Sequence, residues 1–253
     1  MCVLAFAWQA HPKWRLVMAG NRDELHARPA APLDRWEAPA HVIAGRDLTA
    51  GGTWLGVSEQ GRFAVVTNLR GFGPPLPDRA SRGALVRDLL AGDGNYAAPD
   101  AIDLAAFNPF NLIFVDASGP RFLTNQPSPM HAPLASGLYG LSNGALDEPW
   151  PKTGQIKGQL LDWIVAGAHD PAALLDGLAS ETLPATGLPP EEPSDAPLEP
   201  RLSPIFIRHP MYGTRCSTVV AIDRDGRGLI VERRYDAQGI ATGETRLDFG
   251  WPV

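Results

Sequence analysis

The chain has 253 residues, of which 44% are hydrophobic and 20% charged, a composition typical of one soluble globular domain that buries roughly three-quarters of its unfolded surface. Its formal net charge of −6 disfavours a nucleic-acid partner, which requires a basic face, and no apolar run approaches the roughly 20 residues of a membrane span. Two cysteines do not form a disulfide framework, so we expect a reducing, cytoplasmic location and a single domain over residues 1–253.

The first 24 residues contain the main candidate site. The apolar run Met1–Trp8 predicts a buried strand, Gln9–Lys13 a turn, and Trp14–Ala19 a second strand. Such a hairpin returns the polar stretch Gly20–Glu24 to the side of Cys2. A thiol, a guanidinium and a carboxylate would then meet at one end of a sheet.

These groups suit nucleophilic catalysis. Removal of Met1 would leave Cys2 with a thiol and an α-amino group, whose ordinary pKa values are about 8.5 and about 7.7–8.0, and the amine could act as base for the thiol. Arg22 would favour the thiolate or hold a substrate carboxylate, and Asp23 would orient the ammonium form. The alternative is a small buried hydrophobe at Cys2 and a solvated turn at Arg22 and Asp23. The residues alone leave both interpretations open.

The next part of the chain predicts short strands joined by turns. The proline-rich stretch Leu25–Pro39 predicts an irregular connection, and His41–Gly45 a strand. Thr53–Ser58 and Arg62–Asn68 predict a hairpin, and the glycines and prolines of Leu69–Asp78 predict a loop.

A helix follows from Arg82 to Ala91, with Ser81 either as its N-cap or as part of an anion site. Asp100–Phe107 predicts a short helix, and Phe110–Asp116 with Arg121–Asn125 predicts a further hairpin.

In the second half, Leu138–Ser142 predicts a strand that ends at Asn143. Gly154–Ala166 and Pro171–Ala179 have helical spacing of apolar residues. Seven prolines between residues 184 and 204 predict a loop, and a loop of that length is usually functional or disordered.

Ser217–Asp223 and Gly228–Tyr235 predict the last hairpin. Arg215 stands where the first of these strands begins, a position from which its side chain could reach Cys2 or form a strand-end ion pair. Because adjacent residues of a strand point to opposite faces, we expect Cys216 to face away from the site if Arg215 faces it.

The sequence lacks the common motifs for binding metals, phosphates and dinucleotides. The six histidines show no metal-ligand spacing, and there is no phosphate-loop or dinucleotide fingerprint. We therefore expect a small-molecule substrate or ligand.

Gly20–Glu24, followed by Arg28 and Pro29, resembles the signature of the NRDE family, the proteins related to transport and Golgi organisation. Further blocks extend the resemblance over nearly the whole chain: Gly51–Val57, Thr67-Asn68, Ser81–Gly83, Asn108–Leu112, Gly140–Asn143, Pro149–Lys152 and Tyr212–Arg215. The resemblance implies an α+β fold of the N-terminal-nucleophile hydrolases, a four-layer αββα sandwich with two antiparallel sheets packed between helices. The sequence departs from the family at Cys216, where we expect serine.

The resemblance also implies candidate functions. One is an amidohydrolase that cleaves a linear, non-peptide amide with Cys2 as nucleophile and needs no cofactor. Asn143 would donate its amide to the oxyanion, as an asparagine in a similar place does in choloylglycine hydrolases, unless it only forms an Asx-turn before Gly144. Family members have also been connected to haem trafficking and to acyl-CoA or lipid metabolism. The alternative is therefore a non-catalytic haem-binding, acyl-CoA-binding or lipid-binding protein that uses the same pocket.

Overall fold

A computed structural model describes residues 2–167, 169–183 and 203–252. The strands of these residues are β1 Cys2–Trp8, β2 Trp14–Leu25, β3 Ala30–Arg35, β4 Val42–Asp47, β5 Leu55–Ser58, β6 Arg62–Asn68, β7 Phe110–Asp116, β8 Gly119–Thr124, β9 Met130–Pro133, β10 Gly137–Leu141, β11 Tyr212–Asp223, β12 Arg227–Tyr235 and β13 Ala241–Gly250. The α-helices are α1 Arg82–Ala91, α2 Pro151–Val165 and α3 Leu174–Leu178, with 3-10 turns at Pro99–Ala101, Leu104–Ala106 and Pro171–Ala173.

The chain forms two compact units. One consists mainly of Met1–Ala27 and Ser136–Phe249, and the other of Arg28–Ala135 with Gly250–Pro252. The expectation of a single domain over residues 1–253 stays a prediction.

The first unit is built on a six-stranded sheet with the strand order β10-β1-β2-β11-β12-β13. Helices α2 and α3 cover one face of this sheet, because alternate apolar residues of β1, β2, β11 and β12 form a core with them. This core includes Val3 and Ala5 on β1, Val219 on β11, and Ile156 and Trp163 on α2. The periodicity of the α2 sequence correctly predicts the helix, and Trp163 lies in its core.

The second unit is a seven-stranded meander in which β3 to β9 are neighbours in chain order. Helix α1 packs Leu85 and Leu89 against Ala64 and Leu112 of the sheet. The helix has the predicted bounds and Ser81 at its N-cap, although the Ser81 side chain makes no capping hydrogen bond with the described residues.

The predicted α+β class with two antiparallel sheets is confirmed, and a helix layer packs on the sheet of each unit. Across the described parts of the chain, no helix is long and apolar enough to cross a membrane.

Several local features differ from the prediction. The connection predicted at Leu25–Pro39 contains strand β3, which tolerates Pro32 because it is an edge strand with an irregular register at that point. The helix predicted at Asp100–Phe107 is reduced to two 3-10 turns. Strand β13 was missed because its residues, mostly small or polar, lack an apolar alternation. Residues 184–202 of the predicted proline-rich loop lie outside the described residues.

Candidate active site

The β1–β2 hairpin forms the centre of the candidate site. Its antiparallel register runs from Trp8 opposite Leu16 to Cys2 opposite Arg22, so the predicted return of the polar stretch to the side of Cys2 is confirmed. Strand β2 does not end at Ala19, as predicted, but continues to Leu25. It continues because the polar residues pair with β11 on the other side, which provides hydrogen-bonding partners for their backbone.

Cys2 and Arg22 share the face of the sheet that is turned away from α2 and α3. Val3 and Ala5 pack with the helices, so Cys2, which alternates with them, points to the opposite face. Arg22 lies directly across from Cys2 and therefore has its side chain on the same face. Both residues are buried, with only 8% and 6% of their surface exposed.

Asn21 lies on the helix face and has a structural role. Its Nδ2 donates to the carbonyl oxygens of Leu178 and Ile205, both at 2.9 Å, and its Oδ1 accepts from Ser217 Oγ at 2.7 Å. The Asn21 side chain therefore lies apart from the thiol of Cys2, because strand alternation turns it to the other face.

Gly20 is needed for the close approach of the two strands. A Cβ atom at this position would lie 2.7 Å from Leu4 Cβ and 2.8 Å from the Val3 carbonyl oxygen. The glycine of the polar stretch thus lets β1 and β2 pair tightly where they position Cys2.

Asp23 is fully buried and lies one step beyond Arg22 on β2. Because Cys2 is opposite Arg22 in an antiparallel pair, Asp23 lies beyond Cys2 on the side of the Cys2 backbone nitrogen. Its side chain alternates with that of Arg22 and points to the same face as Asn21. Its Oδ1 accepts a hydrogen bond of 2.6 Å from Thr214 Oγ1, and the same hydroxyl accepts from the Ile207 N–H at 2.9 Å. Thr214 has no role predicted from the sequence.

The loop after β10 lies beside Cys2 and contains Asn143. Leu141 lies opposite Leu4 in the last pair of the β1–β10 ladder, and Asn143 follows two residues later, beyond the end of β10. Ser142 Oγ supports the placement, because it donates to the Cys2 carbonyl oxygen at 3.0 Å. Asn143 is completely buried.

Arg215 occupies a β-bulge on β11. The register with β2 shifts between Thr214, which faces Asp23, and Cys216, which faces Arg22. The Arg215 Nη1 donates to the carbonyl oxygens of Leu25 and His26, at 2.9 and 3.2 Å.

Cys216 lies on the Cys2 face, because it and Cys2 flank Arg22 on its two sides. The prediction that Cys216 faces away from the site if Arg215 faces it depends on strict alternation, which the bulge at Arg215 interrupts. Two strand spacings separate Cys2 from Cys216, roughly 9.5 Å, which is too far for a disulfide without backbone movement. Both cysteines are free thiols.

The environment raises the pKa of both thiols. Burial raises the pKa of the Cys2 thiol above its ordinary value, and Asp23 raises it further while Arg22 lowers it. Burial and the Glu232 carboxylate raise the pKa of Cys216 well above its ordinary value. Burial and the neighbouring Arg22 lower the pKa of the Arg215 guanidinium. Cys2 therefore needs a base before it can act as a nucleophile at neutral pH.

Among the residues that the structure describes, no group of three or more His, Cys, Asp or Glu side chains is placed to hold a metal ion.

Comparison with known proteins identifies the family of this chain. Residues 1–237 match the sequence profile of the family described as Transport and Golgi organisation 2. The human Transport and Golgi organization protein 2 homolog is 32% identical over 270 residues, which cover 97% of each chain. The Drosophila melanogaster Transport and Golgi organization protein 2 is 26% identical over 259 residues, covering 92% of this chain and 91% of the relative.

Two solved structures have a similar fold. The Caenorhabditis elegans ortholog of N-acylethanolamine-hydrolyzing acid amidase has a TM-score of 0.50 and 13% identity, over 87% of this chain and 92% of the amidase. A conjugated bile acid hydrolase from Clostridium perfringens has a TM-score of 0.50 and 8% identity, over 98% of this chain and 92% of the hydrolase. At these identities the likeness shows the fold alone, which is that of N-terminal-nucleophile hydrolases.

Proposed function

Since the chain belongs to the Transport and Golgi organisation 2 family and has the fold of N-terminal-nucleophile hydrolases, we propose that it is an amidohydrolase that cleaves a linear, non-peptide amide with Cys2 as nucleophile. The observation that carries the proposal is the pairing of Cys2 with Arg22 at one end of a sheet, beside the loop that contains Ser142 and Asn143. Removal of the residue before Cys2 would add the α-amino group that serves as base.

The first half-reaction acylates the enzyme. The neutral α-amine of Cys2 takes the thiol proton, the sulfur attacks the amide carbonyl carbon, and the carbonyl oxygen becomes an oxyanion. The C–N bond then breaks, the leaving amine takes the proton from the Cys2 ammonium, and a thioester remains on the sulfur. In the second half-reaction the amine activates water, which hydrolyses the thioester to a carboxylic acid and restores the thiol.

The neighbouring side chains have separate roles. Asn143 Nδ2 would donate to the oxyanion, a contribution worth about 2.7–4 kcal/mol of barrier for a single donor. Arg22 lowers the pKa of the Cys2 thiol and so offsets part of the effect of burial. Asp23 would stabilise the ammonium form of the amine, since it follows Arg22 on the side toward which the Cys2 backbone nitrogen lies. Arg215 would act on the site through its charge, because its guanidinium is held at the Leu25 and His26 carbonyls.

The proposed substrate class is an analogy with a structural neighbour. One structural neighbour hydrolyses N-acylethanolamines, as its name states, and these are linear amides. Nothing in the mechanism requires a cofactor. A cytoplasmic location and a small-molecule substrate remain predictions. Non-catalytic binding of haem, acyl-CoA or another lipid in the same pocket is the alternative function.

Intact mass spectrometry before and after treatment with a p-nitrophenyl ester tests the proposal. We expect loss of one methionine and a single acyl label that maps to Cys2. Cys216→Ser is the matched control, because it removes the second thiol of the same face and should leave this label in place. A retained Met1, or a label found on Cys216 alone, would contradict the hydrolase. In that case, haem and acyl-CoA titrations followed by absorbance and calorimetry test the binding alternative.

A further inference from the structure

The bulge at Arg215 changes which side chain faces Asp23. Cys216 and Ser217 lie opposite Arg22 and Asn21, and an unbroken ladder would continue with Arg215 opposite Asp23 and Thr214 opposite Glu24. The extra residue moves Thr214 one position, so that it faces Asp23 instead. Bulges are common next to active sites, where they redirect a side chain.

The redirected hydroxyl completes a buried hydrogen-bond chain. The Ile207 N–H donates to Thr214 Oγ1 at 2.9 Å, so the hydroxyl proton is directed away from Ile207 and toward Asp23 Oδ1, 2.6 Å away. The Thr214 N–H also donates to the Ile207 carbonyl oxygen at 2.9 Å, which holds the threonine backbone in place. Thr214 is 1% exposed and Asp23 is fully buried, so water does not compete for these bonds.

We infer that Thr214 is a positioning residue, whose hydroxyl holds the Asp23 carboxylate in the orientation that receives the Cys2 α-ammonium group. A carboxylate has two oxygens, and a fixed donor on Oδ1 determines where Oδ2 points. The short O–H···O⁻ bond is of the strong, charge-assisted type, which makes this constraint effective. The inference rests on the proposed function, since it needs the free amine at Cys2.

Thr214→Val and Thr214→Ser separate positioning from folding. Valine has the shape of threonine without the hydroxyl, and serine keeps the hydroxyl. We expect Thr214→Val to lower the rate of Cys2 acylation by the p-nitrophenyl ester roughly 10- to 100-fold, the scale of a misplaced catalytic group. Its pH–rate midpoint should move to lower pH, because a misoriented Asp23 stabilises the ammonium less. Thr214→Ser should stay within twofold of the wild-type rate, with its midpoint unchanged.

The pH–rate comparison keeps the other charged and titratable groups near Asp23 constant. These are Arg22 and Glu24, its neighbours on β2, and Arg215 and Cys216 on the facing strand β11. Thr218→Val is the control, because it makes the same change at another buried threonine of β11. Thermal unfolding of each variant records any loss of stability. A Thr214→Val protein that is less stable but keeps the wild-type rate and pH midpoint would overturn the inference and leave the hydrolase proposal intact. A wild-type protein without a free Cys2 amine would overturn both.

Discussion

Asn21 should stabilise the fold without taking part in the chemistry at Cys2. Asn21→Ala removes a side chain that makes three buried hydrogen bonds, to Leu178, Ile205 and Ser217, and leaves two carbonyl oxygens and one hydroxyl without this partner. Each such loss costs about 1–3 kcal/mol, and partial relaxation of the site brings the expected total to about 3–5 kcal/mol. For a chain of this size, that corresponds to a fall in melting temperature of roughly 10 °C.

Urea unfolding followed by circular dichroism measures this loss. Ser217→Ala is the reference variant: its hydroxyl bonds Asn21 and contacts Tyr235 at 3.2 Å, so we expect a smaller loss of about 1–2 kcal/mol. The double variant should lose less than the sum of the single losses, because both remove the same bond. At a temperature where Asn21→Ala is folded, alkylation of Cys2 by iodoacetamide should stay within twofold of wild type. A loss below about 0.5 kcal/mol, or slower alkylation at unchanged stability, would refute the structural role.

Three further predictions follow from the site. Above pH about 8.5 the unfolded chain ionises Cys216 while the folded chain keeps the thiol protonated, so the free energy of unfolding should fall with pH. In Cys216→Ser the free energy of unfolding should fall less steeply with pH, by up to about 1.4 kcal/mol per pH unit. Urea unfolding at several pH values from about 8.5 to about 10 measures this, and the same pH dependence in wild type and variant would contradict the raised pKa. Asn143→Ala should slow the acylation of Cys2 by a p-nitrophenyl ester about 10²–10³-fold. Alkylation by iodoacetamide forms no oxyanion and should keep its rate. Equal slowing of both reactions would exclude the oxyanion role. Gly20→Ala should destabilise the protein by about 1–3 kcal/mol, since the added Cβ would lie 2.7 Å from Leu4 Cβ. Thermal unfolding measures this loss, and an unchanged melting temperature would contradict the close approach of the two strands.

Local pattern in the sequence is enough to predict the first hairpin and two of the helices. The apolar run that begins β1 and the short turn before Trp14 indicate a hairpin, and this hairpin returns Gly20–Glu24 to the side of Cys2. Helices α1 and α2 are likewise predicted from the spacing of their apolar residues. These predictions succeed because each depends on neighbours within a few residues along the chain.

The tertiary structure alone decides the partners that come from distant parts of the chain. Thr214 meets Asp23 across 191 positions of sequence, and only the pairing of β11 with β2, with its bulge at Arg215, brings them together. The same pairing moves Cys216 onto the Cys2 face, against the alternation that the sequence indicates. Asn21 stands next to Arg22 in the sequence, yet it bonds Leu178 and Ile205 on the other face. Register and bulges depend on long-range packing and hydrogen bonding, which periodicity within a single segment does not encode.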